Sequence, residues 1–391
     1  MDCFIRPLRA RTLRGGRRTR YKDMERFEKR FFLAPLILIL AGAFLSTSCA
    51  GQPVREASGS QGDDEGYGRY VLVQDVRPGP GVTERRWLSA YLPNLKNTPG
   101  DSPLYVLDSG VPGATLLVVG GTHANEVAGM AAATLLVERA KPVQGRLIVI
   151  PHLNSSGLSY TAESNLQPSW IRLDAASGVR YLRYGSRLVY PDHQGQSDPE
   201  QYRRPFGGAP LAGEEQRNIN RAYPGLTDGP LTQRIAAAVM EVILRENVAI
   251  AVDMHEAKPG SSLVWTLVAN PKNLDAAVNA VFDLEDLGIR MKLDQSSDQN
   301  EGLSHREWGD RTPAQAFLIE TVNPAQGIKD GTPVDQLRHD QYPLWKRVGV
   351  QLETLSALVR NFNAEGKTGV VQYEGVPGYA ELEEKGLEAF F

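Results

Sequence analysis

The sequence predicts an α/β fold in which a mostly buried central β-sheet is flanked by helices on both faces. Strand-like and helix-like segments alternate along the chain from about Arg69 onward. The strand-like segments are apolar throughout, which is typical of strands in a sheet that is covered on both faces. The chain of 391 residues is 41% hydrophobic and 23% charged. This amino-acid composition is typical of globular proteins, and it excludes a disordered or a polytopic membrane protein.

The predicted elements follow one another in a simple order. β-Branched and apolar runs predict strands, and apolar residues at helical spacing predict helices. Residues 161–202 show neither pattern strongly and are expected to form a long surface excursion. Strands are predicted at residues 70–76, 115–119, 146–151, 248–252, 263–268 and 316–319, and helices at residues 125–140, 231–245, 274–287 and 334–362.

The N-terminal region has the composition of an export signal. Residues 1–32 contain 11 Lys or Arg residues against four acidic residues, and residues 33–45 are uncharged and mostly apolar. This apolar run is too short for a transmembrane helix, which needs about 20 residues, but it suits the apolar region of a secretory signal. Small residues and Cys49 follow, so that residues 1–48 look like a bacterial lipoprotein signal. A short uncleaved anchor is the alternative.

The lipoprotein interpretation predicts a chain that is attached to a membrane through lipid on Cys49. Ala50 rather than Asp follows this cysteine, which favours the outer membrane, facing the periplasm, as the location. Residues 1–23 are expected to result from a start codon assigned too early, because a signal that begins at Met24 has ordinary proportions. Residues 49–68 are small, polar and Gly-rich, and they predict a flexible tether.

The rest of the chain is expected to be one acidic domain without disulfides. The full chain has a net charge of −3 although its first 32 residues are strongly basic. Nucleic acid is therefore not an expected partner, because phosphate binding needs a basic surface. Cys3 and Cys49 are the only cysteines, so the domain depends on its core for stability. We assign the domain to residues 69–365 and a C-terminal tail to residues 366–391.

The sharpest local signal is the segment VVGGTHANE at the end of a predicted strand. Two glycines turn the chain there, and His123 and Glu126 follow where a helix is predicted to begin. Residues three apart share one face as a helix begins, so the imidazole and the carboxylate can converge on one ion. Ligand sites of open α/β sheets lie at the carboxyl ends of strands. By itself the H-x-x-E pattern is weak evidence for a metal site.

Two further predicted strands end in polar residues. The run VAIAVDMHE places His255 at the end of a buried strand, with Asp253 two residues earlier as a group that could orient the imidazole. Two histidines and one carboxylate leave a position open on a tetrahedral zinc ion, which is the catalytic arrangement. The run AFLIET places Glu320 where a strand ordinarily carries an apolar residue, and a carboxylate beside a metal can act as a general base. A buried structural histidine and a salt-bridged glutamate are the alternative interpretations.

The segment NINRAYPG contributes an amide and a guanidinium, those of Asn220 and Arg221. A planar guanidinium next to an amide can hold a carboxylate through two hydrogen bonds. As a local motif, this segment is also an ordinary turn with a charged residue. The other histidines are not expected to be ligands: a structural role is expected for His152, and a place at the surface or rim for His193, His305 and His339.

In chain order, these motifs resemble those of the zinc carboxypeptidase superfamily. The order is GGTHANE, VIPHLNSSGLSYT, the arginine pair of QYRRP, NINRAYPG, VDMHE and FLIET. The spellings GGTHANE and INRAYPG look most like the succinylglutamate desuccinylase/aspartoacylase branch. The resemblance covers about residues 100–365, and it implies a mixed central sheet within a single catalytic domain.

The resemblance also implies a metal centre and its catalytic partner. His123, Glu126 and His255 resemble the ligands of one Zn²⁺ per chain. Glu320 resembles the residue that acts first as a general base and then as a general acid.

Four more residues match positions that contact the substrate in this superfamily. Asn220 and Arg221 resemble the pair that holds the free carboxylate of the substrate. Arg203 or Arg204 resembles the arginine that polarises the scissile carbonyl and stabilises its oxyanion. We expect Arg204 to have this catalytic role and Arg203 to contribute to substrate binding.

These roles imply a zinc-dependent hydrolase that cleaves an amide bond next to a free carboxylate, in a small acylated amino acid or a peptide. An envelope carboxypeptidase that acts on peptidoglycan or peptides is an alternative, and a non-catalytic binding lipoprotein on the same fold is another. Two departures from the family leave the substrate open. Only 29 residues follow Phe362, too few for the C-terminal β domain of the branch. No tyrosine lies between Gln299 and Phe317, where the carboxypeptidases often carry one.

Overall fold

Strands and helices alternate along the chain, as the sequence predicts. The structure is a computed structural model that describes residues 75–160, 169–328, 332–367 and 369–391. The strands are β1 (Glu84–Trp87), β2 (Pro103–Asp108), β3 (Thr115–Gly120), β4 (Lys141–Gln144), β5 (Arg146–Ile150), β6 (Trp170–Ala175), β7 (Gly178–Arg183), β8 (Gln201–Tyr202), β9 (Leu211–Ala212), β10 (Val248–Ala257), β11 (Thr266–Ala269), β12 (Lys292–Gln295), β13 (Gln315–Val322) and β14 (Gln372–Glu374). The helices are α1 (Val127–Arg139), α2 (Ser155–Leu158), α3 (Pro191–Gln194), α4 (Leu231–Arg245), α5 (Leu274–Asp286), α6 (Ser304–Arg311), α7 (Leu344–Glu365) and α8 (Tyr379–Lys385).

Eight of the strands form a mixed central sheet in the order β1-β2-β5-β3-β10-β13-β11-β12. The four inner strands β5, β3, β10 and β13 run parallel to one another. The antiparallel pairs are β1–β2, β2–β5 and β11–β13. Since β3, β10 and β13 are parallel neighbours, their carboxyl ends meet at one edge of the sheet, where ligand sites of such sheets lie.

Helices cover both faces of this sheet, and the apolar side chains of the inner strands explain why. On β3, Leu116 and Val118 face a core that is shared with α1, α5 and α7, whereas Leu117 and Val119 face a core that is shared with α4. All four side chains are fully buried. A sheet with two apolar faces needs a helical layer on each. The predicted fold class is therefore confirmed.

Most helices lie close to their predicted limits, but α7 begins later than predicted. The predicted helix at residues 334–362 becomes a helix that starts at Leu344. Pro343 occupies its N-cap, and a proline is tolerated at the start of a helix but not in its interior. The helix ends at Glu365, and its C-cap Gly366 has a φ of 64°, in the left-handed region that glycine adopts without strain.

The strands β10 and β13 continue past the predicted strand ends and contain the polar motif residues. β10 includes Asp253 and His255, and β13 includes Glu320. The apolar runs stop before these residues, so the pattern predicts that the strands stop too. Backbone pairing continues nevertheless, and His255 lies directly opposite Glu320. The side chains of Asp253, His255 and Glu320 are therefore held by regular sheet structure and not by loops.

The described part of the predicted surface excursion at residues 161–202 is mostly exposed or half-buried, and it contains regular structure that the sequence pattern did not predict. Residues 161–168 lie outside the described residues, but β6 and β7 form an antiparallel hairpin. Leu173 of this hairpin is fully buried, and Arg180 forms an ion pair with Asp75 at 2.8 Å. The hairpin therefore packs against the rest of the domain.

The C-terminal residues, which the sequence separates as a tail, pack on the domain. β14 pairs with β4, and α8 packs against α7. Leu382, Leu387 and Phe391 are buried in the core that also contains α7. These residues complete the helical layer on that face of the sheet.

The predicted signal and tether, residues 1–68, lie outside the described residues. Of the strand predicted at residues 70–76, residues 70–74 also lie outside them, and residues 75 and 76 are not in a strand. None of the helices in the described ranges is long and apolar enough to cross a membrane.

Candidate active site

Three predicted metal ligands meet at the carboxyl ends of the central strands. His123 and Glu126 lie between β3 and α1, and His255 lies in β10. Glu126 Oε1 is 2.7 Å from His123 Nδ1, and Glu126 Oε2 is 2.9 Å from His255 Nδ1. The two Nδ1 atoms are 3.2 Å apart. All three side chains are buried, and their ligand atoms lie within 4.8 Å of one another.

The turn that carries His123 depends on two glycines. Gly121 has a φ of +68°, which glycine adopts at little cost. A Cβ on Gly120 would lie 2.6 Å from the carbonyl oxygen of Gly129 in α1. The glycines therefore allow α1 to pack closely behind β3, and this packing places Glu126 next to His123.

Neighbouring polar groups orient both imidazole rings. His123 Nε2 donates to Asn218 Oδ1 at 2.9 Å, and His255 Nε2 lies 2.8 Å from Asp253 Oδ2. A neutral ring with its proton on Nε2 has a free lone pair on Nδ1, and both Nδ1 atoms face Glu126. Partners of this kind fix the tautomer of metal-ligating histidines. Two oriented imidazoles and one carboxylate are a donor set that fits Zn²⁺.

The electrostatics of the cluster favour a positive charge between its carboxylates. Burial alone raises the pKa of Glu126, but the adjacent His123 and His255 hold it well below its ordinary value. Burial lowers the pKa of His255, but the carboxylates of Asp253 and Glu126 raise it well above its ordinary value. Buried anions need a compensating cation. A metal ion bound at this point would meet that need.

Glu320 lies beside the candidate metal ligands, on the strand next to that of His255. Its side chain lines a cavity of about 360 Å³ that also reaches His123 and Glu126. Its Oε2 atom is buried and has no hydrogen-bond partner among the described residues. Burial raises the pKa of Glu320 to about 8, so this carboxyl group can both take up and release a proton near neutral pH. These are the properties of a general base and acid.

Glu256, the glutamate of β10, has both carboxylate oxygens paired in the protein core. Its Oε1 accepts a hydrogen bond from Arg347 Nη1 at 2.7 Å, and its Oε2 accepts one from the Ala128 backbone N–H at 3.0 Å. The side chains of Glu256 and Arg347 are both 0% exposed. Breaking such a buried pair is strongly destabilising. Glu256 therefore stabilises the fold, and Glu320 is the better candidate for proton transfer.

Asn220 and Arg221 line the same cavity. Asn220 Oδ1 accepts a hydrogen bond from the Ser304 backbone N–H at 2.8 Å. Arg221 Nη1 donates to the carbonyl oxygen of Asn220 at 2.6 Å, and Arg221 Nε is 3.6 Å from Glu215 Oε2. Burial, together with repulsion from Arg187, lowers the pKa of Arg221 to about 10. A carboxylate bound in the cavity would compensate the positive charge of Arg221 and so offset both its burial and the repulsion from Arg187.

Arg203 and Arg204, for which the sequence predicts roles in the site, are not among the described residues that line this cavity. Arg204 Nη1 donates to the carbonyl oxygen of Glu301 at 2.6 Å, and Arg203 is exposed. Arg187, which follows the β6–β7 hairpin, lines the cavity instead. Its side chain is 36% exposed and lies 3.9 Å from Glu215 Oε2. Arg187 is therefore a second guanidinium at the cavity that the candidate metal ligands His123 and Glu126 line.

Three residues of the site are not singled out by the sequence patterns. Arg187 lies in a segment without periodicity, so no local signal marks it. Asn218 precedes Asn220 by two residues in the motif NINR, and the polar density of that motif is a signal that could have found it. His305, expected at the surface or rim, is buried and lines the cavity. Burial lowers the pKa of His305 to about 3, so its ring is neutral.

No family model matches the chain, and no curated protein matches it. Solved structures that it resembles include a succinylglutamate desuccinylase from Silicibacter sp. TM1040, with 18% identity, 71% of this chain and 64% of that chain covered, and a TM-score of 0.41. An aspartoacylase family protein from Mesorhizobium loti has 17% identity, 66% and 61% coverage, and a TM-score of 0.36. The tripeptide-bound cell shape determinant protein Csd4 from Helicobacter pylori has 12% identity, 69% and 55% coverage, and a TM-score of 0.44.

The chain thus spans less than two thirds of the length of each of these three proteins. The structures that it resembles include members of the branch that the motif spellings indicate.

Proposed function

We propose that this chain is a zinc-dependent hydrolase that cleaves an amide bond next to a free carboxylate, in a small acylated amino acid or a peptide. One observation carries the proposal. The ligand atoms of His123, Glu126 and His255 lie within 4.8 Å of one another, and the cavity that His123 and Glu126 line is also lined by Glu320, whose Oε2 has no hydrogen-bond partner among the described residues, and by the Asn220–Arg221 pair. A non-catalytic binding protein on the same fold would not need this combination of groups.

The carboxylate of the substrate would be held by Asn220 and Arg221. A guanidinium binds a carboxylate through two charge-assisted hydrogen bonds, and such bonds are about twice as strong as neutral ones. Holding this end of the substrate would bring the adjacent amide into the part of the cavity that His123 and Glu320 line. Positioning of this kind lowers the entropic part of the barrier.

Glu320 would carry the proton during hydrolysis. A zinc ion held by the three ligands supplies a Lewis acid at this point of the cavity. Glu320 takes a proton from the attacking water and then gives it to the leaving nitrogen, so that the amine departs neutral. Arg187 lines the same cavity, and its guanidinium would donate to the carbonyl oxygen as negative charge develops on it. We therefore assign to Arg187 the role that the motif order suggests for Arg204.

The proposal is tested with the zinc-loaded protein and a panel of N-acyl amino acids and short peptides, each with a free or an amidated carboxyl group. We expect one zinc per chain and turnover that requires the free carboxylate. In Arg221→Ala, kcat/KM should fall much more for the free acids than for the amides, since only the acids use the charge of Arg221. Equal losses would make Arg221 structural. A wild-type protein without zinc and without turnover would support the non-catalytic alternative.

The roles of the two candidate arginines are separated by a matched pair of variants. Arg187→Gln is expected to lower kcat by about 10²–10³-fold, which is typical when one donor to an oxyanion is removed. Arg204→Gln should have a much smaller effect, because its guanidinium is bound to the carbonyl oxygen of Glu301. Steady-state kinetics on the best substrate of the panel provide the measurement. A large loss in Arg204→Gln alone would return the role to Arg204.

We propose, in addition, that the chain is a lipoprotein of the cell envelope that is attached through Cys49. The composition of residues 1–48 supports this location. We expect the wild type to be processed and lipidated in a two-membrane bacterial host, and Cys49→Ser to be neither. Intact mass and membrane fractionation are the measurements. Identical masses that retain residues 33–45 in both proteins would show an uncleaved anchor instead.

A further inference from the structure

His305 is a buried polar side chain that the proposed reaction does not use. It is 1% exposed, and it lines the cavity together with Asn220 and Arg221. Neither of its ring nitrogens has a hydrogen-bond partner among the described residues. Buried polar groups are almost always hydrogen-bonded, so an imidazole with two unpaired nitrogens at a cavity wall indicates a missing partner.

The backbone next to His305 is hydrogen-bonded to Asn220, one of the two residues proposed to hold the substrate carboxylate. His305 is the second residue of α6, and the first residue, Ser304, donates its backbone N–H to Asn220 Oδ1 at 2.8 Å. The carbonyl oxygen of His305 accepts a hydrogen bond from Asn270 Nδ2 at 3.4 Å. Asn220 thus fixes the start of α6 and lines the cavity at the same time. The imidazole ring is therefore held on a regular element next to the proposed carboxylate site.

We propose that His305 contacts the substrate and donates a hydrogen bond from its ring to the carboxylate that Asn220 and Arg221 hold. This inference rests on the proposed function, because that function supplies the carboxylate. A neutral imidazole has one N–H donor, which a carboxylate oxygen can accept. A carboxylate has about four acceptor positions, so it can bind one guanidinium and still accept from His305. His305 would then determine specificity without taking part in proton transfer.

The test uses metal-free protein, in which the probes can bind without being hydrolysed. The probes are N-acetyl-L-alanine and its carboxamide, and calorimetry gives their Kd values for the wild type, His305→Phe and His305→Gln. We expect His305→Phe to bind the acid on the order of tenfold more weakly and to lose less affinity for the carboxamide, because hydrogen bonds to charged groups are the stronger ones. His305→Gln should recover part of the loss, since its side-chain amide also donates.

A second measurement does not depend on any variant at the site. The chain has six histidines, so ¹⁵N-histidine labelling gives a small set of imidazole signals. The acid, and much less the carboxamide, should shift the ring nitrogen signals of His305. His152→Phe is the matched control, because His152 is also buried with an unpaired ring nitrogen but does not line the cavity. This variant should bind both probes as the wild type does.

The outcomes separate this inference from the proposed function. Unchanged affinity in His305→Phe, equal losses for both probes, or His305 signals that the acid does not shift would each overturn it. A wild type that binds neither probe would overturn it as well, together with the carboxylate site. A zinc-loaded wild type without turnover, whose metal-free form still prefers the acid through His305, would refute the hydrolase while the inference stands.

Discussion

Replacing Glu320 by Gln is expected to lower kcat by about 10²–10⁴-fold while the protein keeps its fold and its zinc. The amide has nearly the same shape as the carboxyl group but cannot accept a proton from water. The side chain is 9% exposed, and its Oε2 atom has no partner among the described residues that the substitution would leave unpaired. The loss should therefore fall on kcat, with KM and the midpoint of urea unfolding little changed.

Asp294 provides the matched control for this variant. It is another carboxylate at the same cavity, but it is exposed and lies on β12, the strand at the edge of the sheet. Asp294→Asn removes the same charge without removing the proposed proton carrier, so kcat should stay close to that of the wild type. A fully active Glu320→Gln would place proton transfer elsewhere. Equal losses in both variants would mean that the charge of the cavity matters and not the proton acceptor.

The variant His255→Ala is expected to lose tightly bound zinc and, with it, turnover. His255 supplies one of three ligand atoms that lie within 4.8 Å of one another. Removing even a hydrogen-bonding partner of a ligand typically weakens metal affinity by 10–100-fold, and removing the ligand itself should cost more. Elemental analysis after dialysis should find one zinc per chain in the wild type and a clearly substoichiometric amount in the variant.

A stability measurement checks the same prediction without an assay. A ligand that binds only the folded state raises its stability by mass action, so zinc should raise the urea midpoint of the wild type but not that of His255→Ala. The control is His193→Ala, because His193 interacts with Ser156 and does not line the cavity. This variant should respond to zinc as the wild type does. One tightly retained zinc in His255→Ala would show that the ligand assignment is wrong.

The convergence of His123, Glu126 and His255 could be expected from the sequence for two different physical reasons. His123 and Glu126 are three residues apart where a helix begins, and short-range geometry alone brings their side chains together. His255 is far away along the chain, but it follows a buried apolar run, and the ends of parallel strands meet at one edge of a sheet. The same argument places Glu320 there, opposite His255.

The sequence could not show whether Arg204 or Arg187 is the better candidate for stabilising the oxyanion. Arg204 belongs to the motif QYRRP, yet it donates to the carbonyl oxygen of Glu301. Arg187 belongs to none of the sequence motifs. Its position at the cavity depends on the preceding β6–β7 hairpin, which is held by the ion pair between Arg180 and Asp75. Contacts between such distant and irregular segments leave no periodic trace in the amino-acid sequence.

The sequence by itself determined the alternation of strands and helices, the sheet with two apolar faces, and the residues at the ends of its parallel strands. These features follow from side-chain periodicity and from spacing within one element, which are local properties of the chain. Only the tertiary structure decided that Arg187 borders the cavity, that His305 is buried beside Asn220, and that Glu256 is paired with Arg347. Each of these depends on which loops and helices pack over the edge of the sheet, and that packing is a property of the whole fold.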